Sequence, residues 1–131
     1  MKRTASCSCG KLTVTCEGEP VRVGICHCFA CQRRTGSIFG AQARFARDRV
    51  TIEGRATEWV RVGDDGDRGT FRFCPECGAT VYYTFDGEPD LVGVAVGAFA
   101  DPTFPPPTYS VYESRRHPWS RASESCVEHY E

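Results

Sequence analysis

Apolar and polar residues alternate along most of this chain. In CGKLTVTCEG, Leu12, Val14 and Cys16 alternate with Lys11, Thr13 and Thr15, the two-residue period of a half-buried strand. In VRVGICHC, Val21, Val23 and Ile25 fall on one face, with Cys26 and Cys28 on the other. Further strand-like runs are SIFGAQARF, RVTIEG, ATEWVRV, GTFRF, ATVYYTF, LVGVAVGAF and TYSVYES. A single helical turn is expected at QRRTG after Cys31, closed by Gly36. GDDGDRG at residues 63–69 and DPTFPPPT at residues 101–108 are turn and loop sequence. The first of these lacks the spacing and terminal Glu of a calcium loop, so it reads as a solvated hairpin tip.

Many short strands with little helix predict an all-β fold. Length gives a single domain over residues 1–131, ending in a polar, loosely ordered tail at about residues 120–131. Phe39, Phe45, Phe71, Phe73, Tyr82 and Phe85 lie in strand-like runs and are assigned mostly to the core. Trp119, after His117 and Pro118, reads as a surface anchor or a core residue rather than a pocket cover.

Charge narrows the classes of partner. The net charge is −1 and no long basic block is present, which disfavours nucleic acid. The longest apolar run, Leu91 to Ala100, is too short to span a bilayer, so no membrane partner is expected. No leader is visible in MKRTASCSCG, and the expected location is cytoplasmic.

The 9 cysteines change the picture. An odd count at CxC and CxxC spacing disfavours a disulfide framework and suits metal. Cys74 and Cys77 sit in FCPECG, where Pro75 stiffens the turn and Gly78 can take positive φ. CSCG supplies Cys7 and Cys9, again followed by glycine. Two pairs make a closed four-thiolate zinc site whose contribution is folding energy. CHCFAC holds Cys26, Cys28 and Cys31, three sulfurs without an evident fourth ligand. His27 projects from the opposite strand face, Cys16 reads as a small buried hydrophobe, and Cys126 lies in the polar tail. Three protein ligands plus solvent is the pattern of a catalytic zinc. Two Zn2+ per chain are therefore expected, the second held less firmly and occupied in part. Three thiolates make that metal soft, suited to a thiolate substrate. Arg33 and Arg34 follow directly, either as solvated residues or as binders of a substrate carboxylate.

The sequence resembles the glutathione-dependent formaldehyde-activating (GFA) family, whose domain is shared with centromere protein V. The resemblance rests on CSCGKLTVTCEGEP, CHCFACQRRTGSIFGAQARF, FRFCPECGATVYY, GAFADP and HPW, from about Ser6 to Trp119. It implies a mainly β, tent-like fold with two zinc sites. Position by position, it makes Cys7, Cys9, Cys74 and Cys77 structural ligands, and Cys26, Cys28 and Cys31 catalytic ones. It also implies a carbon–sulfur lyase acting on a small thiol such as glutathione, joining it to formaldehyde to give S-hydroxymethylglutathione. Proton transfer is expected through His27 or water. Two competing readings are a non-catalytic zinc-stabilised binding module and a redox dithiol at Cys28 and Cys31. The absence of a βαβ setting weakens the second.

Overall fold

The computed structural model describes residues 1–121 and 123–131. The strands are β1 (Lys2–Ser6), β2 (Thr13–Glu17), β3 (Arg22–Cys26), β4 (Gly40–Ala46), β5 (Val50–Glu53) and β6 (Thr57–Val62). They continue as β7 (Arg68–Phe73), β8 (Thr80–Phe85), β9 (Leu91–Ala95), β10 (Tyr109–Val111) and β11 (Glu128–His129). One α-helix, α1 (Phe29–Thr35), joins β3 to β4. The fold is mainly β, as the alternation predicts, and its strands form two sheets in one domain. A small sheet runs β1-β2-β5, and a large one runs β11-β10-β3-β4-β9-β8-β7-β6.

The small sheet packs on one face of the large one. Ala5, Leu12, Val14 and Cys16 from the first meet Val23, Ala43, Phe45, Val81, Val92 and Val94 from the second, all buried. Burial of this apolar surface is the main driving force for joining the sheets. Cys16 is fully buried, as expected of a small hydrophobe. The strand β1 was not among the expected runs, because only Ala5 of KRTAS is buried and no alternation shows.

The opposite face of the large sheet is not covered by the small one. Directly paired residues share a face, so the register defines a row across six strands. It runs Trp59, Phe71, Tyr83, Gly93, Arg44, Arg22 through β6, β7, β8, β9, β4 and β3. A second row joins Tyr109, Gly24 and Gln42. Aromatics on this face displace the core assignment of several residues. Phe45 and Tyr82 are buried, but Phe39, Phe71, Phe73 and Phe85 are half-buried. Alternation alone does not tell which face of a two-faced sheet meets the core.

Glycines make room where rings lie flat on the strands. A Cβ on Gly93 would stand 2.5 Å from the fully buried Tyr83 ring, and one on Gly24 would stand 2.2 Å from Tyr109. The run expected as one strand at LVGVAVGAF breaks after Ala95 into a 3-10 turn, Val96–Phe99. That turn brings Phe99 against Phe104, ring centroids 4.6 Å apart.

The C-terminal tail also departs from expectation. It docks: β11 pairs in parallel with β10, and Cys126 and Ser120 are buried. Ala122, within the expected loose tail, lies outside the described residues. Trp119 is 73 % exposed, a surface residue set edge-on to His117. Among the described residues no helix is long and apolar enough to cross a membrane.

Gly93→Ala should destabilise the domain by about 1–3 kcal/mol, the cost of overpacking against a ring that has no free space. Urea denaturation checks this through a lowered midpoint at unchanged slope.

Candidate metal centre and active site

Two groups of cysteines converge. The ligand atoms of Cys7, Cys9, Cys74 and Cys77 all lie within 4.8 Å of one another, and so do those of Cys26, Cys28 and Cys31. Within the first group, Cys9 Sγ lies 3.6 Å from both Cys7 Sγ and Cys74 Sγ. A tetrahedral zinc–thiolate site has sulfurs at about this spacing. The two loops that carry them are shaped alike. Gly10 and Gly78 have φ of 85° and 78°, which turns backbone N–H groups toward the sulfurs. The Leu12 N–H donates to Cys7 Sγ at 3.2 Å, and the Glu76 N–H to Cys74 Sγ at 3.4 Å.

Charge sharing among these thiols is uneven. Amide hydrogen bonds from Ala79 and Cys9 lower the Cys77 thiol to about 6. The Lys11 amide would lower Cys9 too, but burial and the neighbouring sulfurs push it up to about 11. Four thiolates this close require a cation among them. Thiolate donors at this spacing fit zinc.

The second group is built by the end of β3 and the start of α1. Cys26 closes the strand, while Cys28 caps the helix rather than continuing the strand. Its sulfur accepts the Cys31 N–H at 3.3 Å. The helix ends at Gly36 in the left-handed region, with its N–H on Gln32 O. One helical turn returns Cys31 to its two partners. All three cysteines are less than 9 % exposed. Hydrogen bonds from the Cys26 and Cys31 thiols hold Cys28 well below the ordinary thiol range. The contacts with Cys28 and Cys31 push Cys26 up. A bound dication would let all three thiols ionise.

The three sulfurs form part of the wall of a cavity of about 470 Å³. Its floor is the open face of the large sheet, with Gln42, Arg44, Gly69 and Phe71. Tyr109 and Tyr112 wall it from β10 and the residue that follows. Gln42 Nε2 lies 3.6 Å from Cys31 Sγ and Arg44 Nη1 donates to Gln42 Oε1 at 3.1 Å. Arg44 also pairs with Glu88 at 3.0 Å, and Arg22 contacts the same carboxylate. Burial alone would raise Glu88, but the two guanidiniums hold it below the usual carboxylate range. Gln42, Arg22, Arg44, Glu88 and Tyr109 escape a reading by motif, since they are ordinary strand and loop residues. SIFGAQARF is legible only as a strand-like run.

The other expected residues lie elsewhere. His27 is 1 % exposed, does not line the cavity and hydrogen-bonds Ser110 Oγ through Nε2 at 3.0 Å. It lies one residue beyond β3, and among the described residues it is in neither cysteine group. Cys126 is buried, with its thiol 3.8 Å from Pro107 O, and belongs to neither cluster. Arg33 and Arg34 do not line the cysteine cavity; they border a neighbouring cleft. Arg34 keeps one contact with the cluster, Nη2 to Cys31 Sγ at 3.8 Å.

This combination defines a small mainly β protein with two cysteine clusters fit to hold metal, one closed and one facing a cavity. The family model "Glutathione-dependent formaldehyde-activating enzyme" (GFA) matches residues 2–115, and the chain belongs to that family. The crystal structure of a Rhodobacter sphaeroides protein is similar in fold at 21 % identity and TM-score 0.57, covering 72 % of this chain and 85 % of that chain. No curated protein matches the chain. The family is associated with glutathione-dependent formaldehyde activation and with carbon–sulfur lyase activity.

Cys74→Ser should remove one metal ion per chain and lower the melting temperature of the whole domain, because metal binding at the closed cluster is coupled to folding. Atomic emission and thermal melting check this together. Unchanged melting with full zinc content would contradict the four-cysteine assignment.

Proposed function

We propose that the chain is a zinc-dependent carbon–sulfur lyase acting on a small thiol–aldehyde adduct such as S-hydroxymethylglutathione. The observation that supports this reading is the position of Cys26, Cys28 and Cys31. They are buried, mutually close, and on the wall of a cavity of a size usual for small-molecule sites. A purely structural cluster has no need of a cavity, whereas a catalytic metal keeps an open position toward one.

In the forward direction a thiol adds to formaldehyde. The sulfur–carbon bond forms, the carbonyl π bond breaks, and the proton from sulfur ends on the new hydroxyl. The reverse reaction breaks the same bond. Zinc held by Cys26, Cys28 and Cys31 would supply a soft Lewis acid, able to stabilise a thiolate or polarise a carbonyl oxygen. The remaining work falls to the cavity. Arg22 and Arg44 share the single carboxylate of Glu88, which leaves positive charge for a substrate carboxylate. Asp65 and Asp67, on the loop between β6 and β7, offer negative charge for an ammonium group. A thiol carrying both charges, as glutathione does, suits such a lining. Gln42 can donate to a group at the cluster from its place beside Cys31. His27 does not line the cavity, so solvent in the cavity carries the proton.

Cys28→Ser tests the reading cleanly, since serine keeps the helix cap and leaves the four-cysteine cluster intact. Exchange between formaldehyde, glutathione and their adduct, followed by NMR, should fall about 100-fold or more toward the uncatalysed rate. Melting should stay near that of the wild type. Equal exchange in wild type and variant would remove the catalytic cluster from the account.

A further inference from the structure

A second cleft, of about 750 Å³, opens beside the cysteine cavity and shares Arg61, Asp64 and Phe71 with it. Four guanidiniums line it: Arg33 and Arg34 from the last turn of α1, Arg61 from β6, and Arg115. Among the described residues Asp64 is the one carboxylate in its lining, and it is already engaged by Arg115 at 3.1 Å and more loosely by Arg61 at 3.9 Å. Neither Arg33 nor Arg34 has a carboxylate partner among the described residues. A concave site with such an excess of positive charge favours an anion.

The rest of the lining is aromatic. Phe29 and Trp59 are 51 % and 54 % exposed, a costly state for two large apolar side chains on one cleft. Phe71 and Phe73 continue the wall, with Trp59 tilted against Phe71 at 6.1 Å. Two guanidiniums already lie over rings, Arg34 over Phe71 at 5.3 Å and Arg115 over Phe29 at 5.2 Å. The exposed parts of Trp59 and Phe29 are open to a planar group, and Arg33 and Arg34, without a carboxylate partner among the described residues, to its charge.

We propose that this cleft is a binding site for a small planar aromatic anion, an aryl phosphate or aryl carboxylate, separate from the cysteine cavity. The volume lies in the range of small-molecule sites. A nucleic-acid strand fits less well, because the net charge is −1 and the cations are confined to a concavity. The inference does not rest on the lyase reading, since no thiol or metal enters it.

Isothermal titration calorimetry of the zinc-loaded protein with 2-naphthyl phosphate tests the proposal, without thiol or aldehyde. Inorganic phosphate, 2-naphthol and a short oligodeoxythymidine serve as comparison ligands. Naphthyl phosphate should bind one per chain, at least about tenfold tighter than phosphate or naphthol, because charge and ring are both recognised. Arg33→Gln and Trp59→Ala should each weaken it about tenfold. Arg33 is exposed at a helix end, so that variant keeps the fold, and its melting curve verifies this. Binding unaffected by either substitution would overturn the proposal. So would equal affinity for 2-naphthol or phosphate, no binding at all, or tighter binding of the oligonucleotide.

Discussion

Sulfurs gathered at van der Waals distance repel one another once they ionise, and the fold gathers four of them at one point. Cys7 and Cys9 stand at the entrance to β2 in the small sheet, and Cys74 and Cys77 at the turn between β7 and β8 in the large one. Holding all four at one point ties the two sheets together at one end. Cys7 and Cys74 sit in the same buried cluster as Leu12, Val14 and Val81, so the junction and the apolar core are continuous. A dication at that point would convert mutual repulsion into a cross-link between segments distant in sequence, with no disulfide needed. In a chain of this size such a link supplements a modest core.

Because the small sheet covers one face of the large sheet, the other face is free to carry a site. Strand periodicity divides the labour residue by residue. In β4, Ala43 and Phe45 enter the core while Gln42 and Arg44 face the cavity. In β3, Val23 is in the core while Gly24 and Cys26 line the cavity. Helix α1 then lies at the edge of this floor, with Cys28 and Cys31 turned to the cavity and Arg33 and Arg34 to the adjoining cleft. The cysteine chemistry and the cationic cleft are thus two outcomes of one short helix placed on one sheet face.

The sequence carried local signals well and long-range ones poorly. CxC and CxxC spacing is local, so the grouping of seven cysteines into four and three could be read directly, and so could the burial of Cys16. Alternation located most strands for the same reason. It did not show which face of β7 and β8 would meet the small sheet, and Phe71 and Phe85 were therefore placed in the core instead of on the cavity. Arg33 and Arg34 follow Cys31 in sequence, yet helical rotation turns them to another cleft. Glu88, on the loop between β8 and β9, reaches Arg22 and Arg44 on strands far from it in the chain. The parallel pairing of β10 with β3 and β11 draws in a tail whose polar composition suggested none of this.

The central proposal is that the two cysteine clusters differ: one would close around its metal, and the other would leave a position open to the cavity. Zinc K-edge X-ray absorption on protein of known metal content reads that difference directly. With both clusters loaded, the account predicts two zinc ions per chain and about 3.5 sulfurs per ion, the mean of four and three, with a lighter atom as the fourth direct ligand of the second zinc. A single zinc per chain, or two ions each with four sulfurs, would contradict it.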